Sequence, residues 1–192
     1  MRDMHPVPKI GYVGRLAEEK GVDVLLDAIK DCPQPVETFF VGNGPLAGMI
    51  DKIGKTNPHL NINHIPAVPA KDVSHILRSL DLLILPSKTT TVWAEQFGRV
   101  LIEAMSQGTV PIGSTSGAIP WVIGNAGLVF PEGNAAELAR QMERVLTNAD
   151  MWKDLSLKGQ QRVADHFTWD RVAKQLINTY TQMKSERVNS GA

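Results

Sequence analysis

Residues 94–108, AEQFGRVLIEAMSQG, place two glutamates, Glu95 and Glu103, around a short apolar run. If one largely buried helix carries both, they lie two turns plus roughly 80° and about 12 Å apart, so they cannot share a proton. Carboxylates accept hydrogen bonds from neighbouring hydroxyl groups. We therefore expect an elongated ligand with a ribose diol on Glu103 and sugar hydroxyls on Glu95. Taken singly, each has a simpler explanation, Glu95 as a helix-terminal charge and Glu103 as the partner of a lysine or an amide.

Two cations follow the first apolar run, in the segment GYVGRLAEEKG. Gly14 permits a tight backbone, Arg15 follows it, and Lys20 stands at the start of a predicted helix. Helix-terminal amides, the helix dipole and the two charges all favour an anion, and a guanidinium fits phosphate oxygens well. The segment therefore favours a diphosphate site. The alternative is a solvated loop in which Arg15 and Lys20 pair with Glu18 and Glu19.

Short apolar runs alternate with stretches of helical spacing, which implies right-handed crossovers onto a parallel sheet. The predicted strands are 9–14, 37–42, 60–65, 81–86, 110–114 and 127–130. The predicted helices between them are 20–31, 46–56, 70–80, 96–107 and 117–123. We therefore expect an α/β fold with a doubly wound, mostly parallel, six-stranded Rossmann-like sheet.

The last third of the chain has a helical pattern only, which predicts extra carboxyl-terminal helices. Thr168 is the expected N-cap of the last of them. These helices are predicted at 134–147, 150–165 and 169–185. We expect one domain over residues 9–185, preceded by a linker at 1–8 and followed by a disordered tail at 186–192.

Ligands bind beyond the carboxyl ends of the strands in open α/β sheets, so the turns that follow the strands are the candidate binding segments. VGNGPL lets the backbone approach a ligand, although an ordinary glycine turn is the simpler explanation of an isolated G-x-G. PSKTTTVWAEQFG is a long polar loop, which suggests function. GSTSGAIPWVIG offers hydroxyls and amides either to the same cleft or to helix capping.

The composition excludes several classes of function. The 192 residues contain 20 basic and 20 acidic side chains, so no global charge attracts nucleic acid, and any anion site must be local. The single cysteine, Cys32, excludes an internal disulfide and suits the reducing cytoplasm. Neither a D-x-D motif nor histidines at metal-ligand spacing are present, and no apolar run is long enough to span a bilayer. Peripheral membrane contact stays open.

Several segments together resemble the carboxyl-terminal, donor-binding lobe of GT-B fold glycosyltransferases of family 4, the group 1 retaining enzymes. They are GRLAEEKG, VGNGPL, PSKTTTVWAEQFGRVLIEAMSQGTVPIGSTSGAIPWVIG and the late HFTW. These motifs follow the family's order and cover nearly the whole chain. The most specific is the E-x7-E pair inside E-x-F-G-x-x-x-x-E-A-M.

The resemblance implies that the donor is a nucleotide sugar, either a UDP-sugar or GDP-mannose. The enzyme would transfer a hexosyl group from this donor to an unknown acceptor with retention of configuration. It would need neither a metal nor another cofactor. Arg15 and Lys20 would neutralise the departing diphosphate, Glu95 would face the transferred sugar, and Glu103 would bind the ribose. The other donor-binding positions that the resemblance implies are Gly14, Gln96, Phe97, Gly98, Arg99, Val100, Ala67 and Val68. Of these, main-chain groups near Ala67 and Val68 would meet the base.

The sequence also departs from the family pattern. Trp121 stands after G-x-x-P, where the family commonly has glutamate, and Arg99 replaces the usual aliphatic residue after F-G. The segment HIPAVP lacks the glycine that the family often has after the third strand. Family members have a preceding acceptor-binding lobe, which this sequence does not supply, so we expect half of an enzyme, inactive in transfer without that lobe. Because the last helix usually crosses to the first lobe, apolar residues such as Val172 and Leu176 should be exposed.

Three other functions remain open at the level of sequence. A sugar-nucleotide epimerase of the related GT-B architecture is one, and it would also need the second lobe. The other two differ in class. One is a stand-alone nucleotide-sugar-binding or assembly subunit without transfer activity. The other is a dinucleotide-dependent oxidoreductase, which is disfavoured because GYVGRL lacks the G-x-G-x-x-G fingerprint.

Overall fold

The computed structural model describes residues 3–32 and 34–189, with side chains up to residue 183. Six parallel strands form one sheet in the order β3-β2-β1-β4-β5-β6. The strands are β1 (Lys9–Val13), β2 (Glu37–Val41), β3 (Ile62–Ile65), β4 (Leu82–Leu85), β5 (Val110–Ser114) and β6 (Leu128–Phe130). The helices are α1 (Val22–Lys30), α2 (Ala47–Thr56), α3 (Ala70–Ser79), α4 (Arg99–Ser106), α5 (Ile119–Ile123), α6 (Ala135–Leu146), α7 (Ala149–His166) and α8 (Trp169–Asn189). The predicted α/β, doubly wound fold is confirmed.

The sheet is covered on both faces. Successive side chains of a strand point to opposite faces, and all four residues of β4 are buried. Helix α1 packs against α6, and α4 packs against α7. The chain starts in the middle of the sheet and reverses direction between β1 and β4, so the turns that follow these two strands meet at a topological switch point.

Two helices begin later than predicted, in each case after a glycine in the left-handed conformation. Gly21, with φ of 67°, separates a short 3-10 turn at Glu18–Lys20 from α1. Gly98, with φ of 70°, precedes α4, which therefore starts at Arg99 rather than at residue 96. The left-handed backbone conformation has a low energetic cost for glycine and a higher one for residues with a Cβ atom. These two glycines therefore determine where the helices begin.

The ends of the chain differ from the expected linker and tail. Asp3 pairs with Lys153 at 2.9 Å, and the His5 ring contacts the buried carboxylate of Asp81 at 2.9 Å, so the described part of residues 1–8 is bound to the domain. Helix α8 continues to Asn189, so residues 186–189 are helical, and residues 190–192 lie outside the described part.

Helix α8 carries the exposed apolar surface that the sequence predicts. The Arg171 amide contacts the Thr168 hydroxyl at 3.4 Å, in agreement with Thr168 as the N-cap. The exposed apolar side chains on this helix are Trp169, Val172, Leu176, Ile177, Tyr180 and Met183. Within the described residues, no helix combines the length and the apolar character needed to cross a bilayer.

Replacing Gly21 by alanine should destabilise the fold by roughly 2–4 kcal/mol, because the new Cβ is forced into left-handed backbone and lies 1.9 Å from the Pro86 carbonyl oxygen. Gly48→Ala is the matched control. Nothing lies within 4 Å of a Cβ at that helical position, so this substitution should stabilise the protein by about 0.5–1 kcal/mol. Urea unfolding of both variants measures the difference, and equal stabilities would contradict the prediction.

Candidate functional site

A cleft opens at the carboxyl ends of the strands, next to the switch point. It consists of two cavities of about 410 and 340 Å³ that share Val13, Gly14, Arg15 and Val73 as lining residues. The larger cavity is also lined by Tyr12, Lys20, Leu85, Glu95, Gly98, Arg99, Val100 and Glu103. The smaller is also lined by Val41, Gly42, Asn43, Ala67 and Val68. We call these two cavities together the strand-end cleft.

Lys20 and Glu95 form an ion pair in the larger cavity, although 74 residues separate them in the chain. The Lys20 Nζ atom lies 2.8 Å from Glu95 Oε2, and the Ser87 hydroxyl donates to the same oxygen at 3.0 Å. The Glu95 side chain is only 12% exposed, and that of Lys20 22%. This arrangement excludes the alternative in which Lys20 pairs with Glu18 or Glu19 on a solvated loop.

The Arg15 guanidinium lies at the mouth of the cleft, where its side chain is 65% exposed. It is 3.4 Å from Glu19, so the surface ion pair considered from the sequence does form for this residue. The Tyr12 hydroxyl donates to the Arg15 carbonyl at 2.7 Å and so supports the backbone of this turn from the core. A weak, exposed ion pair leaves the guanidinium free to contact an anion in the cleft.

Helix α4 points its amino terminus into the same cleft. Gly98, Arg99 and Val100 line the cavity, and the first amides of a helix have no partner within the helix. These amides and the helix dipole favour an anion at this point.

The geometry expected for the two glutamates is wrong. Glu95 lies in the loop before Gly98, so the spacing calculated for one helix does not apply. Glu103 is partly exposed: its side chain is 37% exposed and contacts Arg99 Nε at 3.0 Å. Both carboxylates nevertheless line the larger cavity.

The loop that contains Glu95 is bound tightly to the segment after β5. The Ala118 amide donates to the Glu95 carbonyl at 2.9 Å, and a Cβ on Gly117 would lie 2.0 Å from that carbonyl oxygen. The Ser114 hydroxyl donates to the Ser87 carbonyl at 2.5 Å. In the segment after β5, the hydroxyls of Ser114 and Ser116 therefore contact this loop, that of Thr115 accepts from the Glu132 amide, and none of the three residues lines the cleft.

The glycines of VGNGPL bring two backbones together. A Cβ on Gly42 would lie 1.9 Å from the Gly14 carbonyl oxygen, and one on Gly44 would lie 2.2 Å from that of Leu16. In the smaller cavity the Ala67 amide donates to the Asn43 side chain at 3.1 Å. The glycines of G-x-G are thus explained by an ordinary tight turn, without a ligand. The Ala67 amide already donates to a side chain of the protein.

Two predicted positions do not line either cavity. Gln96 and Phe97 are exposed, and the Phe97 ring packs edge-on against Phe167 with 6.0 Å between centroids. The sequence reasoning missed Tyr12 and Ser87, which contact the cleft residues directly. The position of Ser87, two residues after the end of β4 at the switch point, is the signal that could have identified it.

Among the described residues, no group of three or more His, Cys, Asp or Glu side chains is placed to hold a metal ion. The charges that line the cleft are those of Arg15, Lys20, Glu95, Arg99 and Glu103. What the site offers a ligand is thus three cations, two carboxylates and a helix amino terminus.

A family model described as glycosyl transferases group 1 matches residues 5–162, most of the chain. The chain belongs to this family. The predicted relationship is therefore confirmed, and the strand-end cleft lies at the switch point of a group 1 glycosyltransferase lobe.

Individual glycosyltransferases resemble the chain in sequence and in structure. The phosphatidyl-myo-inositol mannosyltransferase of Mycobacterium leprae is 29% identical over 183 residues, which cover 90% of this chain and 47% of that protein. Sucrose-phosphate synthase from Thermosynechococcus elongatus superposes with a TM-score of 0.76 at 26% identity, over 94% of this chain and 46% of the other. Anabaena HepE in complex with UDP and glucose has a TM-score of 0.78 at 20% identity, over 92% and 48%. The chain spans about half the length of these proteins.

The buried Tyr12 predicts a pH dependence of stability. Burial, reinforced by the nearby Glu95 carboxylate, raises the pKa of Tyr12 well above its ordinary value of about 10. When the pH rises above about 10, the ordinary pKa of tyrosine, the unfolded chain releases the Tyr12 proton while the folded chain keeps it. The free energy of unfolding should therefore fall by up to about 1.4 kcal/mol per pH unit in this range. Tyr12→Phe should lack this part of the loss. Urea unfolding between about pH 8 and 11 tests it, with the exposed Tyr180→Phe as control; identical slopes for Tyr12→Phe and the wild type would refute it.

Proposed function

We propose that this chain is the donor-binding lobe of a retaining hexosyltransferase that uses a nucleotide-diphosphate sugar. The observation that carries the proposal is the Lys20–Glu95 ion pair in the same cleft as Arg15 and the amino terminus of α4. Cations and helix amides suit a diphosphate, and carboxylates suit sugar hydroxyls. Group 1 membership supports this assignment, as do the solved complexes of HepE with UDP and with UDP-glucose.

In the proposed complex the diphosphate lies between Arg15, Lys20 and the first amides of α4. An ammonium group has three donors, so Lys20 can contact a phosphate oxygen while it keeps its bond to Glu95. As the bond between the sugar and the phosphate breaks, Arg15 and Lys20 stabilise the charge that develops on the diphosphate. Arg15 and Lys20 thus neutralise the diphosphate in place of a metal ion. We therefore expect transfer without a divalent cation or another cofactor.

The other donor contacts are arranged around the diphosphate. Glu95 faces the hydroxyls of the transferred sugar, and Glu103 faces the ribose after it releases the exposed Arg99. Val68 and the backbone near Ala67 line the smaller cavity, which accepts the base. The acceptor is held by an amino-terminal lobe in the complete enzyme, and without that lobe this chain binds the donor but does not transfer. The enzyme works in the cytoplasm or at the cytoplasmic surface of a membrane.

Thermal unfolding with millimolar UDP, GDP, ADP or NAD tests the ligand class. A ligand at about 100 times its dissociation constant adds roughly 2.7 kcal/mol to the free energy of unfolding, which is readily measured. We expect one nucleoside diphosphate to stabilise the chain and Arg15→Ala to abolish most of that effect. Arg15 suits this test because its side chain is 65% exposed and carries no part of the core, although its removal leaves Glu19 without its ion-pair partner.

The control for the loss of a surface cation is Lys30→Ala, because Lys30 forms an exposed ion pair with Asp27 at the far end of α1. It should respond to the nucleotide as the wild type does. Stabilisation by NAD alone would favour an oxidoreductase instead, and no response to any of the four ligands would contradict the proposal.

Glu103→Ala should weaken binding of the stabilising nucleoside diphosphate about tenfold or more, because a carboxylate that accepts hydrogen bonds from a ribose contributes about 1.5–3 kcal/mol. The loss should be smaller for the 2′-deoxy form of the same nucleotide, which keeps the 3′-hydroxyl but lacks the second hydroxyl that Glu103 would bind. Isothermal titration calorimetry with both nucleotides measures this discrimination. Glu143→Ala, an exposed glutamate on α6, is the control, and equal losses for both nucleotides would count against a ribose contact.

A further inference from the structure

The Lys20 ammonium has a second partner besides Glu95. Its Nζ atom lies 4.3 Å from the centroid of the Trp93 ring. The face of an indole ring attracts a cation within about 6 Å more strongly than any other side-chain ring. Lys20 is thus held between a carboxylate on one side and an aromatic face on the other.

Trp93 belongs to a loop whose backbone is bound on both sides. The Thr90 amide donates to the Trp93 carbonyl at 2.7 Å, which closes a tight turn. Nearer to β4, the Lys88 amide donates to the Glu19 carbonyl at 2.8 Å, and the Lys88 ammonium pairs with Asp23 at 2.7 Å. The two Lys88 bonds connect the loop to the segment around Lys20, and the Thr90–Trp93 bond holds the part of the loop that carries the ring.

The two partners of Lys20 differ in their effect on charge. Glu95 neutralises the ammonium, whereas a neutral ring attracts it without adding a negative charge that would repel an anion. A lysine side chain also loses rotamer entropy when it binds a ligand, and a ring face that orders it beforehand removes part of that cost.

We propose that Trp93 is a positioning residue that holds the Lys20 ammonium, through its ring face, at the point in the cleft where a diphosphate binds. This inference rests on the function proposed above. Trp93 acts through Lys20 and does not itself contact the diphosphate.

The experiment compares Trp93→Leu and Trp93→Phe in the wild type and in Lys20→Met. The probes are inorganic pyrophosphate and the nucleoside diphosphate that best stabilises the wild-type chain, with affinities from calorimetry or thermal shifts. Trp93→Leu should weaken binding of both probes about three- to tenfold, and Trp93→Phe should restore most of the affinity because it keeps a ring. In Lys20→Met, replacing Trp93 should have no further effect. Trp121→Leu, which removes an exposed tryptophan outside the cleft, should bind like the wild type.

Each contrary result identifies which statement fails. No nucleoside diphosphate bound by the wild type would overturn the proposed function and this inference with it. Normal binding by the wild type but no effect of Trp93→Leu would overturn the role of Trp93 alone. Equal losses from Trp93→Leu with and without Lys20 would mean that the ring acts independently of the ammonium. Trp93→Phe keeps the question answerable if Trp93→Leu does not fold.

Discussion

The ion pair between Lys20 and Glu95 is the interaction on which the candidate site depends. It joins the turn after β1 to the long loop after β4, the two segments that meet where the sheet reverses direction. Both side chains are largely buried, and removing one partner of such a pair leaves a charge with too little solvation. The site therefore requires that these two segments stay in contact. The hydrogen bond from Ser87 to Glu95 also holds the glutamate in place.

Close backbone contacts hold the segments that carry the pair. Gly21 lies against the Pro86 carbonyl, and Gly117 lies against that of Glu95, at distances that exclude any Cβ atom. The peptide groups of three different turns can therefore pack directly on one another at the strand ends. This packed backbone gives the cleft walls a defined shape before any ligand arrives, and exposed side chains such as Arg15 extend from it.

Some features of the site could be read from residue types and others could not. Arg15, Lys20 and Glu95 were identified as candidates because they lie in turns that follow strands of a parallel sheet, and Glu103 because it follows Glu95 in the E-x7-E pair. The relative geometry of the two glutamates was predicted wrongly, because the calculation assumed one continuous helix. The left-handed backbone of Gly98 separates Glu95 from the helix, which starts at Arg99. Glycine can adopt this conformation or a right-handed one, and its tertiary surroundings decide between them.

The sequence by itself determined the class of fold, the number of strands and their places along the chain, the three closing helices and the family, since apolar periodicity and motif order are local properties. Only the tertiary structure decided which charges meet. It paired Lys20 with Glu95 and Trp93, left Arg15 exposed beside Glu19, and turned Phe97 towards Phe167. Contacts between residues far apart in the chain depend on how strands are ordered in the sheet and how closely their turns pack, and no local pattern encodes either.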